Sequence, residues 1–326
     1  MEGPRKNGKF EEIANSNISL SEYLRLIYDL NRLIQYELLE KLLQNKDNLG
    51  AIVTLVTPGS DGRLEKGSCQ SPLEVIAIID ADIDLDAYQK TLEEVINDIS
   101  PTKIAKIIEM KGPQSSMITA YGNRYQPGRI ADGRFIYGSQ EIAKDSKIKL
   151  GKEIINLPSD KVDKIVSLKR DAHKATESGK NRIAGTDAIH FDLESGAVFF
   201  NPEAHQLSFK IGPLRLVQNG LLLEEVKHTR REKDANFISN LDANIVGRLN
   251  QLSDDRMLNL ARASVEEIAE HYAFFLRLYH KSEQAYVKNK QVVFQLTPSE
   301  TAEVAKRLKA LSLLMDNLKI QKQPLK

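Results

Sequence analysis

Between Val56 and Ile78 the chain reads VTPGSDGRLEKGSCQSPLEVIAI, its densest set of residues able to do chemistry. An apolar run ends, the chain turns through Gly59 and Ser60, and Arg63 follows. Gly59 permits an unusual φ and a close backbone approach. Ser60 adds a hydroxyl donor, and successive N–H groups in such a turn can form an anion nest. Arg63 can fork onto phosphate oxygens. One helical turn after Ser60 would aim the N–H groups of Asp61 to Leu64 at an anion. Glu74, on the next apolar run, is a carboxylate placed to hold a cation. The plain alternative for the same residues is a tight turn between two strands, with Arg63 solvated.

Those residues need strands and helices to hold them. Ser19 and Glu22 form a capping box ahead of a long amphipathic helix, SLSEYLRLIYDLNRLIQYELLEKLL. AIVTLVT and LEVIAIID are short, β-branched and read as buried strands flanking the loop. DLDAYQKTLEEVINDIS reads as a helix that Pro101 ends. KIAKIIEM, SSMITAYG and RFIYG are further strand candidates. Residues 20–150 therefore predict an α/β domain with a small mixed sheet. Residues 151–326 predict a mostly helical domain, interrupted by a short hairpin in GAVFFNPEAHQLSFKIGPLRLVQ. Thr297, Pro298 and Glu300 mark a helix start within it. Residues 1–19 read as a flexible N-terminus.

Composition excludes several classes. The chain has 326 residues, and its 46 basic and 45 acidic side chains nearly cancel. General nucleic-acid binding is therefore disfavoured, because phosphate neutralisation calls for a cationic excess. Cys69 is the only cysteine, which excludes an internal disulfide and a Cys-rich zinc site. A cytoplasmic location fits. No run of about 18 apolar residues predicts a membrane span.

GSDGRLEKGSCQSPLEVIAI resembles the signature of the DNA-polymerase-β-like nucleotidyltransferase superfamily. There a Gly-Ser at the end of one strand is followed by Ser/Thr-Asp-x-Asp on the next. The form Gly-Ser-x-Gly-Arg-x-Glu is similar to the bacterial protein-modifying branch, the PII uridylyltransferases and glutamine synthetase adenylyltransferases. Gly59, Ser60, Gly62, Arg63 and Glu65 match it. ADGRFIYGSQEI resembles the segment that closes the catalytic domain in that branch. FKIGPLRLVQ resembles the segment that opens its helical domain, through Lys210, Gly212, Leu214 and Arg215. The resemblance implies that Gly59, Ser60, Gly62 and Arg63 bind an NTP such as ATP, with Mg²⁺. It places Lys210 and Arg215 at a cleft between the domains and implies transfer of a nucleotidyl group to a protein hydroxyl.

The match departs from the family at the acids. Two carboxylates two apart on a strand share a face and hold two metal ions with a third acid. Here Ser71 matches the Ser/Thr, Pro72 takes the first Asp position and Glu74 the second. Pro has no ligand oxygen on its side chain. Glu109 or Asp132 could supply the third acid, though an Asp-Gly at 132 is more often a turn. Asp61 and Glu65 could compensate from the loop. Two functions stay open: an Mg²⁺-dependent nucleotidyltransferase with Glu74 and Asp132 as catalytic acids, or an impaired relative that binds a nucleotide or a protein partner. The acid run at Asp80, Asp82, Asp84 and Asp86 reads as a solvated connection into a helix N-terminus. The aromatic-rich segment around His271 and His280 reads as core.

Overall fold

The computed structural model describes residues 3–44, 53–68, 73–99, 105–121, 124–126, 128–177, 180–182, 189–193, 195–201, 206–207, 209–291 and 293–321. Helices α1 (Gly3–Asn15) and α2 (Leu20–Gln44) come first. Strand β1 (Val53–Thr57) runs into a one-turn helix, α3 (Gly59–Gly62), ahead of β2 (Leu73–Ile79), α4 (Leu85–Ile99) and β3 (Ala105–Lys111). A small hairpin of β4 (Thr119–Tyr121) and β5 (Arg124–Gln126) follows, then the turn α5 (Gly128–Ala131) and β6 (Arg134–Tyr137). Next come α6 (Gln140–Ile155), α7 (Ser159–Glu177), β7 (Lys180–Arg182), β8 (Ile189–Asp192), β9 (Ala197–Asn201) and β10 (Gln206–Leu207). A π-type turn, Lys210–Leu214, enters α8 (Arg215–Glu232), and a 3-10 turn, Ile238–Asn240, precedes α9 (Ile245–Asp254). The last elements are α10 (Arg262–Asn289), β11 (Val293–Gln295) and α11 (Pro298–Asn317).

The chain forms two compact units. One comprises Ile27–Leu157 and Thr229–Arg248 and carries the loop. Its sheet has the order β3-β2-β1-β6. β1 pairs antiparallel with both β2 and β6, while β2 and β3 are parallel, with α4 as the crossover between them. β1 and β2 are rich in β-branched residues, nearly continuous in apolar residues, and buried along almost their whole length. Val53, Leu55, Val75, Ile76 and Ala77 are buried at 1% exposure or less. Each Val, Leu or Ile so buried contributes about 1.5–3 kcal/mol. Helix α6 packs on β1, β2 and β6 through a stripe that includes Ala143, Leu150 and Ile154. Ser139 caps that helix, its hydroxyl accepting from the Ile142 N–H.

The other unit comprises Met1–Leu26, Pro158–His228 and Leu249–Lys326. Its axis is α10, whose Val265, Ile268, Tyr272, Phe275 and Tyr279 recur at helical spacing and are buried. α1 and α11 pack on α10. A five-stranded antiparallel sheet, β10-β9-β8-β7 with β11 on β9, completes this unit. α11 begins at a capping box in which Thr297 and Glu300 each bond the other's backbone.

The structure is a mixed α/β fold with a small mixed sheet, as the sequence predicts at that coarse level. It differs in three places. Residues expected to form a flexible N-terminus contain α1, which Phe10 and Ala14 anchor at 1% and 0% exposure. The region expected to be mostly helical contains the five-stranded sheet, whose strands are too short to show a period. The pairing of β9 with both β10 and β11 is what stabilises them, and β11 is distant in sequence. SSMITAYG contributes only the three-residue strand β4. No helix among the described residues is long and apolar enough to cross a membrane.

Candidate functional site

The loop after β1 begins at Gly59, whose φ of 59° is left-handed and suits glycine. The turn closes through backbone bonds from Gly62 N to Pro58 O (3.1 Å), Arg63 N to Gly59 O (3.0 Å) and Glu65 N to Ser60 O (2.8 Å). Gly62 is required by packing. A Cβ there would meet the backbone oxygens of Asp132 at 2.1 Å and Thr57 at 2.4 Å. Leu64 also has a left-handed φ, 63°, and is fully buried. That conformation costs a non-glycine residue about 1 kcal/mol or more, so its burial in the core must hold it. Ser60 and Gly59 are half-buried.

On either side of Leu64, Arg63 and Glu65 meet: Arg63 Nε donates to Glu65 Oε2 at 2.7 Å. Arg63 Nη1 donates to Asp132 Oδ2. The other oxygen, Asp132 Oδ1, accepts from Arg248 Nη2 at 2.9 Å. Arg63, Glu65, Asp132 and Arg248 are all below 9% exposed. Arg248 is further fixed by bonds from Nε to Asp242 O (2.8 Å) and from Nη2 to Ala243 O (3.1 Å). Arg134, at the start of β6, donates from Nε to Gly62 O at 3.1 Å and lies 3.9 Å from Asp242. The alternating chain Glu65–Arg63–Asp132–Arg248 ties the loop to the turn before β6 and to α9. Every charge in it has a partner, as a buried charge requires.

Two expected site residues are engaged inside this arrangement. Arg63 was expected to reach a phosphate; its guanidinium is instead buried against two carboxylates. Asp132 was expected to be a catalytic acid; both of its oxygens are occupied by arginines. Glu74 is exposed on β2, and its N–H donates to Asp61 Oδ2 at 3.0 Å. Asp61 is buried, with Lys66 Nζ 3.4 Å from its other oxygen, and burial raises its pKa against the pull of Lys66. Glu109 pairs with Ile76 across a bulge in the β2–β3 register, while Lys106 pairs with Glu74. The pleat thus puts Glu109 and Glu74 on one face, and Lys111 forms an ion pair with Glu109. Among the described residues, no three His, Cys, Asp or Glu side chains group so as to hold a metal ion. The described acids are thus not grouped as a two-metal site requires. Ser71 and Pro72 lie outside the described residues, as does Cys69.

Lys210 opens the π-type turn, and its side chain is outside what is described; Arg215 begins α8 and is exposed. The acid run behaves as a helix start, with Asp84 Oδ1 accepting from the N–H groups of Asp86 and Ala87 at 3.1 Å.

Four residues beside the loop escaped the sequence reading: Tyr28, Arg134, Lys147 and Arg248. Burial, and then Glu65, push the Tyr28 hydroxyl well above its ordinary pKa. Burial lowers Arg134. Lys147 is lowered to about 8 by burial and then by Arg248. One signal was present: Lys147 stands on the buried stripe of α6, four residues after Ala143 and three before Leu150. Arg248 gave none, because its partner Asp132 is 116 residues away. No protein-family model matches the chain and no curated protein matches it, so the resemblance to nucleotidyltransferases rests on the motif residues themselves.

Proposed function

We propose that this chain is a nucleotidyltransferase-like protein that does not transfer, and that it serves as a nucleotide-binding module for a protein partner. The observation that carries this reading is the buried chain Glu65–Arg63–Asp132–Arg248, which commits the loop arginine and the candidate acid to holding the fold. The nucleotide is assigned to the Gly59–Ser60 turn. The first N–H groups of a helical turn have no carbonyl behind them, and Pro58 supplies no side-chain cap. A second reading, transfer from an NTP to a protein hydroxyl, has one observation in its favour: Glu74 and Glu109 share a face of the sheet.

The experiment is incubation of the full chain with radiolabelled ATP or UTP and Mg²⁺, with and without lysate, beside calorimetry of nucleotide binding. The expected result is binding without label transfer, and Pro72→Asp alone does not restore transfer because Asp132 stays occupied. Labelling at an ordinary enzymatic rate that Glu109→Gln abolishes would replace this reading by the second. Absence of nucleotide binding at millimolar concentration would remove both.

A further inference from the structure

The seam between α10 and α11 holds a histidine that fits only in its neutral form. His271, on α10, is buried, and Arg307 of α11 lies with Nη1 3.1 Å from its Nδ1. A guanidinium has only donors and stays charged, so Nδ1 must accept and the ring proton must sit on Nε2. Nε2 is buried and makes no hydrogen bond among the described residues. Glu267 Oε1 stands 3.4 Å from it, but the two are not aligned for one. Arg307 has three further partners. Its Nε donates to Glu303 on its own helix at 2.5 Å, its Nη2 donates to Glu270 at 3.0 Å, and its Cζ lies 4.6 Å from the centre of the Phe274 ring.

Among the described residues, the charged groups that face His271 are Glu267 and Glu270 on α10 and Arg307 on α11. The other charged contacts of α10 lie further along it: Lys281 with Glu300 on α11 at 3.7 Å, Lys288 with Glu11 on α1, and Arg277 with the carbonyls of Ala14 and Ile18. β9 and β11, which also pack on α10, carry no charged side chain. The π-type turn brings only Lys210, whose side chain is outside what is described. A proton added to Nδ1 would set N–H against N–H and cation against cation. Burial, and then Arg307, oppose that proton, while Glu267 and Glu270, both about half exposed, offset them only in part. The pKa of His271 therefore lies below its ordinary 6.5. Each partner has an alternative at hand, Glu267 for the imidazolium and Glu303 with Glu270 for Arg307. We propose that His271 and Arg307 form a proton-operated clasp, in which protonation of the ring drives Arg307 off Nδ1 and loosens α11 from α10. Arg307 then keeps its partly exposed carboxylates, which hold weakly in water, and loses its contact with the buried ring. The unfolded chain, with an ordinary pKa near 6.5, takes up a proton that the clasped form refuses. The clasp is therefore at full strength above that pH and weakens as pH falls below it. Each unit by which the clasped form lies below 6.5 favours the loosened form about tenfold at acid pH.

The test follows backbone amide exchange of α11 in the full chain from about pH 7.5 to about pH 5, beside NMR of the histidine ring nitrogens. Exchange rates are corrected for their intrinsic dependence on pH. Wild type should show the Nε2–H tautomer at neutral pH, a His271 midpoint below 6.5, and faster exchange of α11 as that midpoint is crossed. His271→Asn places a carbonyl oxygen near the Nδ1 position and takes no proton. It should keep the protection of α11 at neutral pH and lose the acid step. Arg307→Gln removes the opposing cation, so the His271 midpoint should rise and the acid step shrink. His173→Asn is the control, because His173 faces Asp316 at 3.0 Å on the α7 side of α11. That variant should keep the acid step. The proposal is overturned if Nδ1 carries the proton at neutral pH, or if the wild-type midpoint lies at or above 6.5. It is also overturned if the acid step is absent from wild type or survives in His271→Asn. Loss of the step in His173→Asn alone would assign it to the α7 side and overturn the clasp. If His271→Asn does not fold, Arg307→Gln decides: a raised midpoint with a smaller acid step supports the clasp, and an unmoved midpoint overturns it.

Discussion

Arg63 shows how one side chain can satisfy a motif and yet have another duty. In the sequence it stands four residues after Gly59, where a phosphate-gripping arginine belongs. In the fold it is 7% exposed and holds Glu65 and Asp132 together. Removing it leaves two buried carboxylates short of a partner, and breaking a buried ion pair costs about 3–5 kcal/mol. Arg63→Ala should therefore lower the unfolding free energy by that amount and shift the denaturant midpoint down in proportion, far more than a surface substitution, which changes stability by about 0.5 kcal/mol at most. Chemical denaturation at neutral pH checks it. A phosphate-binding arginine in solvent would instead leave the midpoint unchanged and reduce nucleotide affinity. Arg63→Lys should recover little of the loss, because a point charge cannot fork across two carboxylates.

Elements were legible wherever the signal was local. β1 and β2 appear as β-branched runs, α2 carries its Ser19 cap in the sequence, with Glu22 N donating to Ser19 Oγ at 3.2 Å, and α10 shows its apolar period. Those patterns repeat within a few residues, so a short window contains the whole cause. The candidate site was legible in half. Gly59, Gly62 and Arg63 stand out as a loop, but what Arg63 touches lies 69 residues on, at Asp132, and the next link is 116 residues beyond that. No local period encodes such a contact. The same holds for α1, which is stabilised by α10 near the other end of the chain, with Lys288 Nζ 2.7 Å from Glu11. The start of α11 is the clearest local case. Thr297 Oγ1 accepts from Glu300 N at 3.2 Å, and Glu300 Oε2 accepts from Thr297 N at 2.9 Å. Thr297→Ala removes one side of that exchange and should cost about 1 kcal/mol. It should be read as a lower thermal midpoint with nucleotide binding unchanged.

For the molecule as a whole, a formal charge of +1 leaves little net repulsion near neutral pH. Stability against pH is then set by individual groups whose pKa differs between folded and unfolded chain. Lys147 is the clearest on the alkaline side, about 8 when folded against 10.5 when free. Between those values the unfolded chain binds more protons, so stability must rise with pH through that window. Asp132 and Asp242 oppose the shift, but burial, Arg248 and Arg134 outweigh them. Lys169, lowered by burial, adds a limb of the same sign. Tyr28 and Tyr279 act in the other direction. Burial raises both well above 10.0, so above that pH the unfolded chain loses protons the folded one keeps, and stability falls. The melting temperature should therefore climb above about pH 8, peak near pH 10 and drop beyond it. Lys147→Met should flatten the climb without moving the fall, and Tyr28→Phe should do the reverse. A climb of equal slope in wild type and Lys147→Met would place its cause elsewhere, with Lys169 the next lysine to replace.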